Sequence, residues 1–160
     1  MHPFPRRGLQ ALIVLALAIS PWLFLPSTAA PPEAKYEDFQ GKVVPLAGLL
    51  EKAGAKLDAD AAPHWFALVD DKGKIYPLVK DDGSRMFFKD ARLLQRPMRL
   101  TGRLIPQSQL LQVVKVHSVI DGELHDVHYW CNICSIRRYE KKICDCCGGP
   151  MELREEPVKK

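Results

Sequence analysis

All five cysteines of this 160-residue chain fall between residues 131 and 147. Cys131-Asn132-Ile133-Cys134 is one C-x2-C pair, and Cys144-Asp145-Cys146-Cys147 is a second, with Ser135–Ile143 between them. A C-x2-C turn aims two sulfurs and its own backbone amides at one point. Two such turns make a tetrahedral thiolate cage for Zn2+ that leaves no position open to water. Gly148 lets the second turn close over a metal without a Cβ clash. Arg137, Arg138, Lys141 and Lys142 lie between the pairs, where they are expected to offset thiolate charge.

The run Cys144-Asp145-Cys146-Cys147-Gly148-Gly149-Pro150-Met151 resembles the second knuckle of zinc ribbons, and Tyr129-Trp130 serves as the incoming strand. The resemblance covers about Tyr129 to Leu153. It implies Cys131, Cys134, Cys144 and Cys147 as ligands and puts Cys146 at a non-ligand position, as an accessory thiol. Four thiolates on two knuckles also describe a rubredoxin-type iron centre. Against that alternative, Ser135 stands where rubredoxin knuckles have Gly, and the spacer is short. Two disulfides and one leftover thiol are the oxidised alternative for an exported chain, and metal carried as cargo is a third. There is no C-x-x-C-H, which excludes covalent haem attachment.

At the other end, Arg6 and Arg7 precede an apolar stretch, Leu9–Leu25, followed by Ser27, Thr28, Ala29 and Ala30. Basic start, short apolar run and small-residue cleavage site are the three parts of a secretory signal. Residues 1–29 are expected to be removed, and the protein is expected in the periplasm or outside the cell. An uncleaved N-terminal anchor is the alternative, although Ala11–Ile19 is far shorter than the roughly 20 apolar residues a span needs. Cleavage takes two of the 23 basic residues and none of the 19 acidic ones. The mature chain is then nearly balanced in charge, which together with export disfavours a nucleic-acid partner.

The elements that must position the cysteines are read from periodicity. Residues 30–40 read as a flexible lead-in. Gly41–Leu57 combines a strand start at Val43, Val44 and Leu46 with a helix over Ala47–Ala55 that ends at Gly54. His64–Val69 and Ile75–Val79 form a hairpin around Asp70–Lys74, with Pro77 demoting the second strand to an edge or a bulge. Phe88–Leu94 has room for two helical turns. Met98, Leu100, Gly102 and Leu104 alternate with Arg99, Thr101 and Arg103. In Leu110–Ile120 the apolar phase slips between Val113 and Val114, which predicts a β-bulge. Asp121-Gly122 is a hairpin turn, and His125–Trp130 returns as a strand.

This order resembles an OB-fold, a small Greek-key barrel, over residues 41–122. The expected architecture is mainly β: a small OB-like barrel with one short helix, then a zinc-ribbon hairpin at 123–155 and a disordered tail at 156–160. OB-folds bind on one face, and the candidates for such a face are Arg99, Arg103, Lys115, Trp65 and Phe66. Solvated strand charges and core aromatics are the plainer account of the same residues. His117, His125 and His128 surround the hairpin, but 125 and 128 point to opposite sides of a strand and read as solvated or core-edge.

No G-x-S-x-G, H-E-x-x-H or phosphate loop is present, so no enzyme is expected. The expectation is an exported binding module with a structural zinc, whose partner is an extracytoplasmic protein or glycan. A small electron carrier, a thiol redox sensor and a metal-handling protein are the alternatives.

Overall fold

The computed structural model describes residues 35–58, 60 and 64–159, so the predicted signal segment lies outside the described residues. The elements in chain order are β1 (Glu37–Pro45), α1 (Leu46–Lys52), β2 (Phe66–Val69), β3 (Ile75–Pro77), α2 (Arg85–Lys89), a 3-10 turn (Ala91–Leu93), β4 (Pro97–Leu104), β5 (Leu111–Ile120), β6 (Glu123–Cys131), β7 (Ile136–Arg138) and β8 (Glu152–Pro157). The strands form one antiparallel sheet in the order β3-β2-β1-β4-β5-β6-β7, and β8 pairs with β6. The mainly β class with few helices is as the sequence predicted.

Local signals explain most elements. In β4, Met98, Leu100 and Gly102 are buried and alternate with half-buried Arg99, Thr101 and Arg103. β4 pairs with β5 through Thr101–Lys115 and then Gly102–Val113, so Val114 is the extra residue of the predicted bulge. The two-residue turn Asp121-Gly122 has φ of 51° and 82°, the pair of positive values that a tight antiparallel hairpin requires. α1 follows β1 directly, buries Leu46 and Ala47, and is followed by Gly54 at φ 92°. The core gathers Val43, Leu68, Phe87, Leu93, Leu100 and Tyr129 under one face of the sheet.

Three expectations are corrected. The sheet is not closed into a barrel. β3 ends at Pro77, whose nitrogen has no hydrogen to donate to a ladder. Beyond it, contact with β5 shrinks to an isolated parallel bridge, Leu78–Leu111, and the Val79 amide donating to the Leu111 carbonyl at 3.0 Å. The lead-in stops earlier than Gln40, because Glu37–Gln40 pair with Arg99–Gly102 of β4. The tail is not loose over Glu156 and Pro157, which pair with Asp126 and His125 of β6, and Val158 donates to Leu124 at 2.9 Å.

β6 is the spine of the C-terminal half. Its start pairs with β5 (Glu123–Asp126), its end pairs with β7 (Tyr129–Cys131), and β8 runs along His125–Trp130. The boundary predicted at residue 122 therefore falls within a hairpin of one continuous sheet.

Candidate metal centre

Cys131 is the last residue of β6, and Cys134 closes the turn into β7. Cys144 and Cys147 come from the loop that leads to β8. One sulfur from each of Cys131, Cys134, Cys144 and Cys147 lies within 4.8 Å of the others. Cys131 and Cys144 are buried, Cys134 is half-buried and Cys147 is exposed. All five cysteines are free thiols. The Cys131 and Cys147 sulfurs are 3.5 Å apart, against about 2.05 Å for a disulfide. Sulfurs about 2.3 Å from a shared zinc in a tetrahedron would be about 3.8 Å apart. The donor set therefore fits a thiophilic cation, and four nearby cysteines could bind a metal.

The two turns are built alike. Ser135, four residues after Cys131, donates its amide to the Cys131 carbonyl at 2.8 Å; Gly148, four after Cys144, does the same to Cys144 at 2.8 Å. Both residues have left-handed backbones, with φ of 53° at Ser135 and 68° at Gly148. Ser135 thus takes the conformation that glycine fills in the second turn, at a steric cost of about 1 kcal/mol. Backbone amides also face the sulfurs: Cys134 N–H lies 3.5 Å from Cys131 Sγ, and Gly149 N–H lies 3.4 Å from Cys147 Sγ. The amides of Cys147 and Cys146 pull the Cys144 thiol down to about 6. Hydrogen bonds from the neighbouring thiols, Cys146 first and Cys147 next, push Cys134 up. Crowded sulfurs of this kind share protons poorly, and a dication can replace those protons.

The basic residues expected to offset thiolate charge also meet carboxylates. Each is engaged by a carboxylate: Arg137 with Asp126 at 2.8 Å and Glu156 at 3.2 Å, Arg138 with Asp145 at 3.5 Å, Lys142 with Asp145 at 2.8 Å. Lys141 lies 4.0 Å from Asp90. Asp145, inside the second turn, is held below the usual carboxylate range by Lys142 and Arg138. Cys146 is exposed.

The chain matches no protein-family model, no curated protein and no solved structure.

Of the residues proposed for a binding face, Arg99, Arg103 and Lys115 lie on one face of the sheet, Lys115 opposite Thr101, whereas Trp65 and Phe66 stand at the start of β2. Arg99 and Arg103 share a face of β4, but each is held by a cross-strand amide. Gln40, with its amide oxygen toward Arg99, accepts from Nε at 2.9 Å, and Gln112 accepts from Arg103 Nε at 2.9 Å. Lys115 is exposed on β5. Phe66 packs edge-on against Phe88 at 5.0 Å between ring centres. Trp65 is exposed, just before β2.

Sequence reasoning missed one polar centre beside the metal site. Asp90 has a side chain 1% exposed and accepts from the Arg92 backbone amide (3.1 Å), Arg92 Nε (2.9 Å) and the Tyr129 hydroxyl (3.0 Å). The Arg92 guanidinium outweighs burial and holds the carboxyl down at about 2. Tyr129 is two residues before Cys131, so this contact fixes the strand that carries the first sulfur. His128 is also fully buried, not solvated, and neither ring nitrogen has a hydrogen-bond partner among the described residues.

Proposed function

We propose that this chain is an exported, non-enzymatic binding module in which Cys131, Cys134, Cys144 and Cys147 hold a structural zinc ion. In this reading an OB-like strand set and a zinc ribbon share β6, and the metal stiffens a C-terminal hairpin too small to build its own core. The convergence of four sulfurs within 4.8 Å carries the reading. Four protein ligands fill a zinc coordination sphere, which favours scaffold over catalysis. Export rests on Arg6, Arg7, the apolar run after them and the cleavage site after Ala29. The partner is then an extracytoplasmic protein or glycan.

The test is metal analysis with a thiol count on protein purified from its export compartment, together with its N-terminal mass. One equivalent of zinc, five thiols and a chain starting at Ala30 are expected. Iron with a visible absorption band would move the protein to the electron carriers. No metal, two disulfides and one free thiol would refute the scaffold.

A second reading, a thiol redox sensor, is favoured by the exposed free thiol of Cys146, next in sequence to Cys147. It predicts that mild peroxide releases the metal from the wild type faster than from Cys146→Ser.

A further inference from the structure

Val127 and Tyr129 of β6 belong to the core, so alternation puts Asp126, His128 and Trp130 on the opposite face of the sheet. On that face His128 is nevertheless fully buried. Side chains from three neighbouring strands surround it. β8 sets Arg154 opposite His128 and Glu156 opposite Asp126. β7 sets Arg137 opposite Trp130, and β5 sets His117 opposite Asp126. Trp130 stands edge-on to the imidazole at 6.5 Å between ring centres, with the Arg154 guanidinium over its own ring at 5.0 Å.

Neither nitrogen of the His128 ring has a hydrogen-bond partner among the described residues, although acceptors stand close on both sides. Nδ1 is 3.4 Å from Asp126 Oδ2, and Nε2 is 3.7 Å from Glu156 Oε1. Both carboxylates are already taken. Arg137 donates from Nη1 to Asp126 Oδ2 at 2.8 Å and from Nη2 to Glu156 Oε2 at 3.2 Å. One guanidinium thus ties β7 to β6 and to β8, and it uses the same Asp126 oxygen that faces the ring.

A neutral imidazole has one N–H and cannot answer both carboxylates; an imidazolium has two, one toward each. In the present arrangement protonation would set a second buried cation beside Arg137, and burial first and Arg137 next resist it, against the pull of Glu156 and Asp126. Arg154, the other cation beside the ring, donates to Asn132 at 2.6 Å. Exposure decides which cation yields. The Arg137 side chain is 40% exposed and can turn to water, whereas the His128 side chain is 0% exposed and cannot.

We propose that His128 is an acid-operated latch: on taking a proton from water it claims Asp126 and Glu156, and Arg137 leaves for solvent, untying β7 from β6 and β8. Two N–H···O contacts form to the ring as Arg137 gives up two. The ring has to approach each oxygen by less than about 1 Å to reach the usual length of a charge-assisted bond. β7 keeps its backbone pairing over Tyr129–Cys131 of β6, so acid loosens the hairpin without unfolding it. A proton then acts as the ligand that shifts a two-state element. The latch stands on these contacts alone and goes beyond the reading of the chain as a metal scaffold.

The test follows the His128 ring signals and the amide exchange of Ile136–Arg138 by NMR on the full mature protein, from about pH 8 to about pH 5. Exchange is corrected for its intrinsic pH dependence and referenced to β4, and metal content is measured on the same samples. As His128 titrates below about 6.5, β7 exchange is expected to quicken about five-fold, the worth of a part-exposed ion pair. The step should vanish in His128→Gln and persist in His117→Gln. Arg137→Met should exchange quickly already at neutral pH and show no step. A rate that stays flat while His128 titrates, a His128 that stays neutral to the end of the series, or a step that His128→Gln retains overturns the latch. Should the glutamine variant fail to fold, Arg137→Met decides: slow exchange at neutral pH, or a full acid step, overturns it. The scaffold is judged separately, by metal content at neutral pH.

Discussion

Replacing Asp90 with Ala should be the most damaging polar substitution near the metal centre. The carboxylate is buried and answers four donors from two residues: the Arg92 amide, its Nε and Nη2, and the Tyr129 hydroxyl. Alanine would remove the cap of the 3-10 turn, worth about 1 kcal/mol, and strand a buried tyrosine hydroxyl, worth about 1–3 kcal/mol. With the lost ion pair, a total of about 3–5 kcal/mol is expected, a large part of the roughly 5–15 kcal/mol of a typical domain. Tyr129→Phe removes one bond and should cost only about 1 kcal/mol. Urea denaturation followed by tryptophan fluorescence gives both values, and a double-mutant cycle gives their coupling. A pH series separates the charge from the packing. The folded carboxyl sits at about 2 against an ordinary 3.8, so its contribution of about 2 kcal/mol is complete above pH 4 and vanishes as pH falls through 2. Thiolate protonation also acts in that range, equally in wild type and Asp90→Asn, so the difference between the two isolates Asp90. A loss under 1 kcal/mol for the alanine variant, or parallel pH curves for wild type and Asp90→Asn, would refute the assignment.

At the metal turns, Gly148→Ala puts a side chain at φ 68° and should weaken zinc binding about five-fold, for a cost of about 1 kcal/mol. Ser135→Gly should act in the opposite direction and more weakly; chelator competition reads both. His128 is held below its ordinary 6.5 by burial first and by Arg137 next, against the opposing pull of Glu156 and Asp126. The unfolded chain therefore binds its proton more readily, and stability should fall as pH drops below 6.5 toward the lower folded value. Thermal melts of His128→Gln should show a shallower slope there, the remainder belonging to His117, which burial also lowers. Arg96 reaches Glu155 of β8 with two bonds, at 2.6 and 3.2 Å; a double-mutant cycle in urea should give about 1 kcal/mol of coupling.

What could be read from the chain was local. Cysteine spacing, the alternation of β4, the slip at Val113–Val114 and the turn at Asp121-Gly122 each leave their mark within a few residues, and the structure has the features those marks predict. Strand β8 was missed because Glu152-Leu153-Arg154-Glu155-Glu156 carries four charges and shows no apolar alternation. It is a strand because β6 offers it an edge and because Arg96 and Arg137 pair with Glu155 and Glu156, while its own Arg154 donates to Asn132. Asp90 and Tyr129 are 39 residues apart, and nothing in either neighbourhood announces the other. Closure of the barrel was over-read from element order, since order alone does not count how many ladder bonds survive past Pro77.

The position of Cys131 at the end of β6 bears on how the sheet avoids misregistration. Side chains on a strand alternate, so a slip of β6 by one residue would push His128 into the core and turn Val127 and Tyr129 away from it. The charged surface of β8 would do little to oppose such a slip. A metal held between Cys131 and the loop cysteines would oppose it, because a displacement of about 3.3 Å along the strand carries the Cys131 sulfur out of reach of its partners. Cation binding would then act as a proofreading step on strand alignment, and chains that paired wrongly could be distinguished by their failure to take up metal.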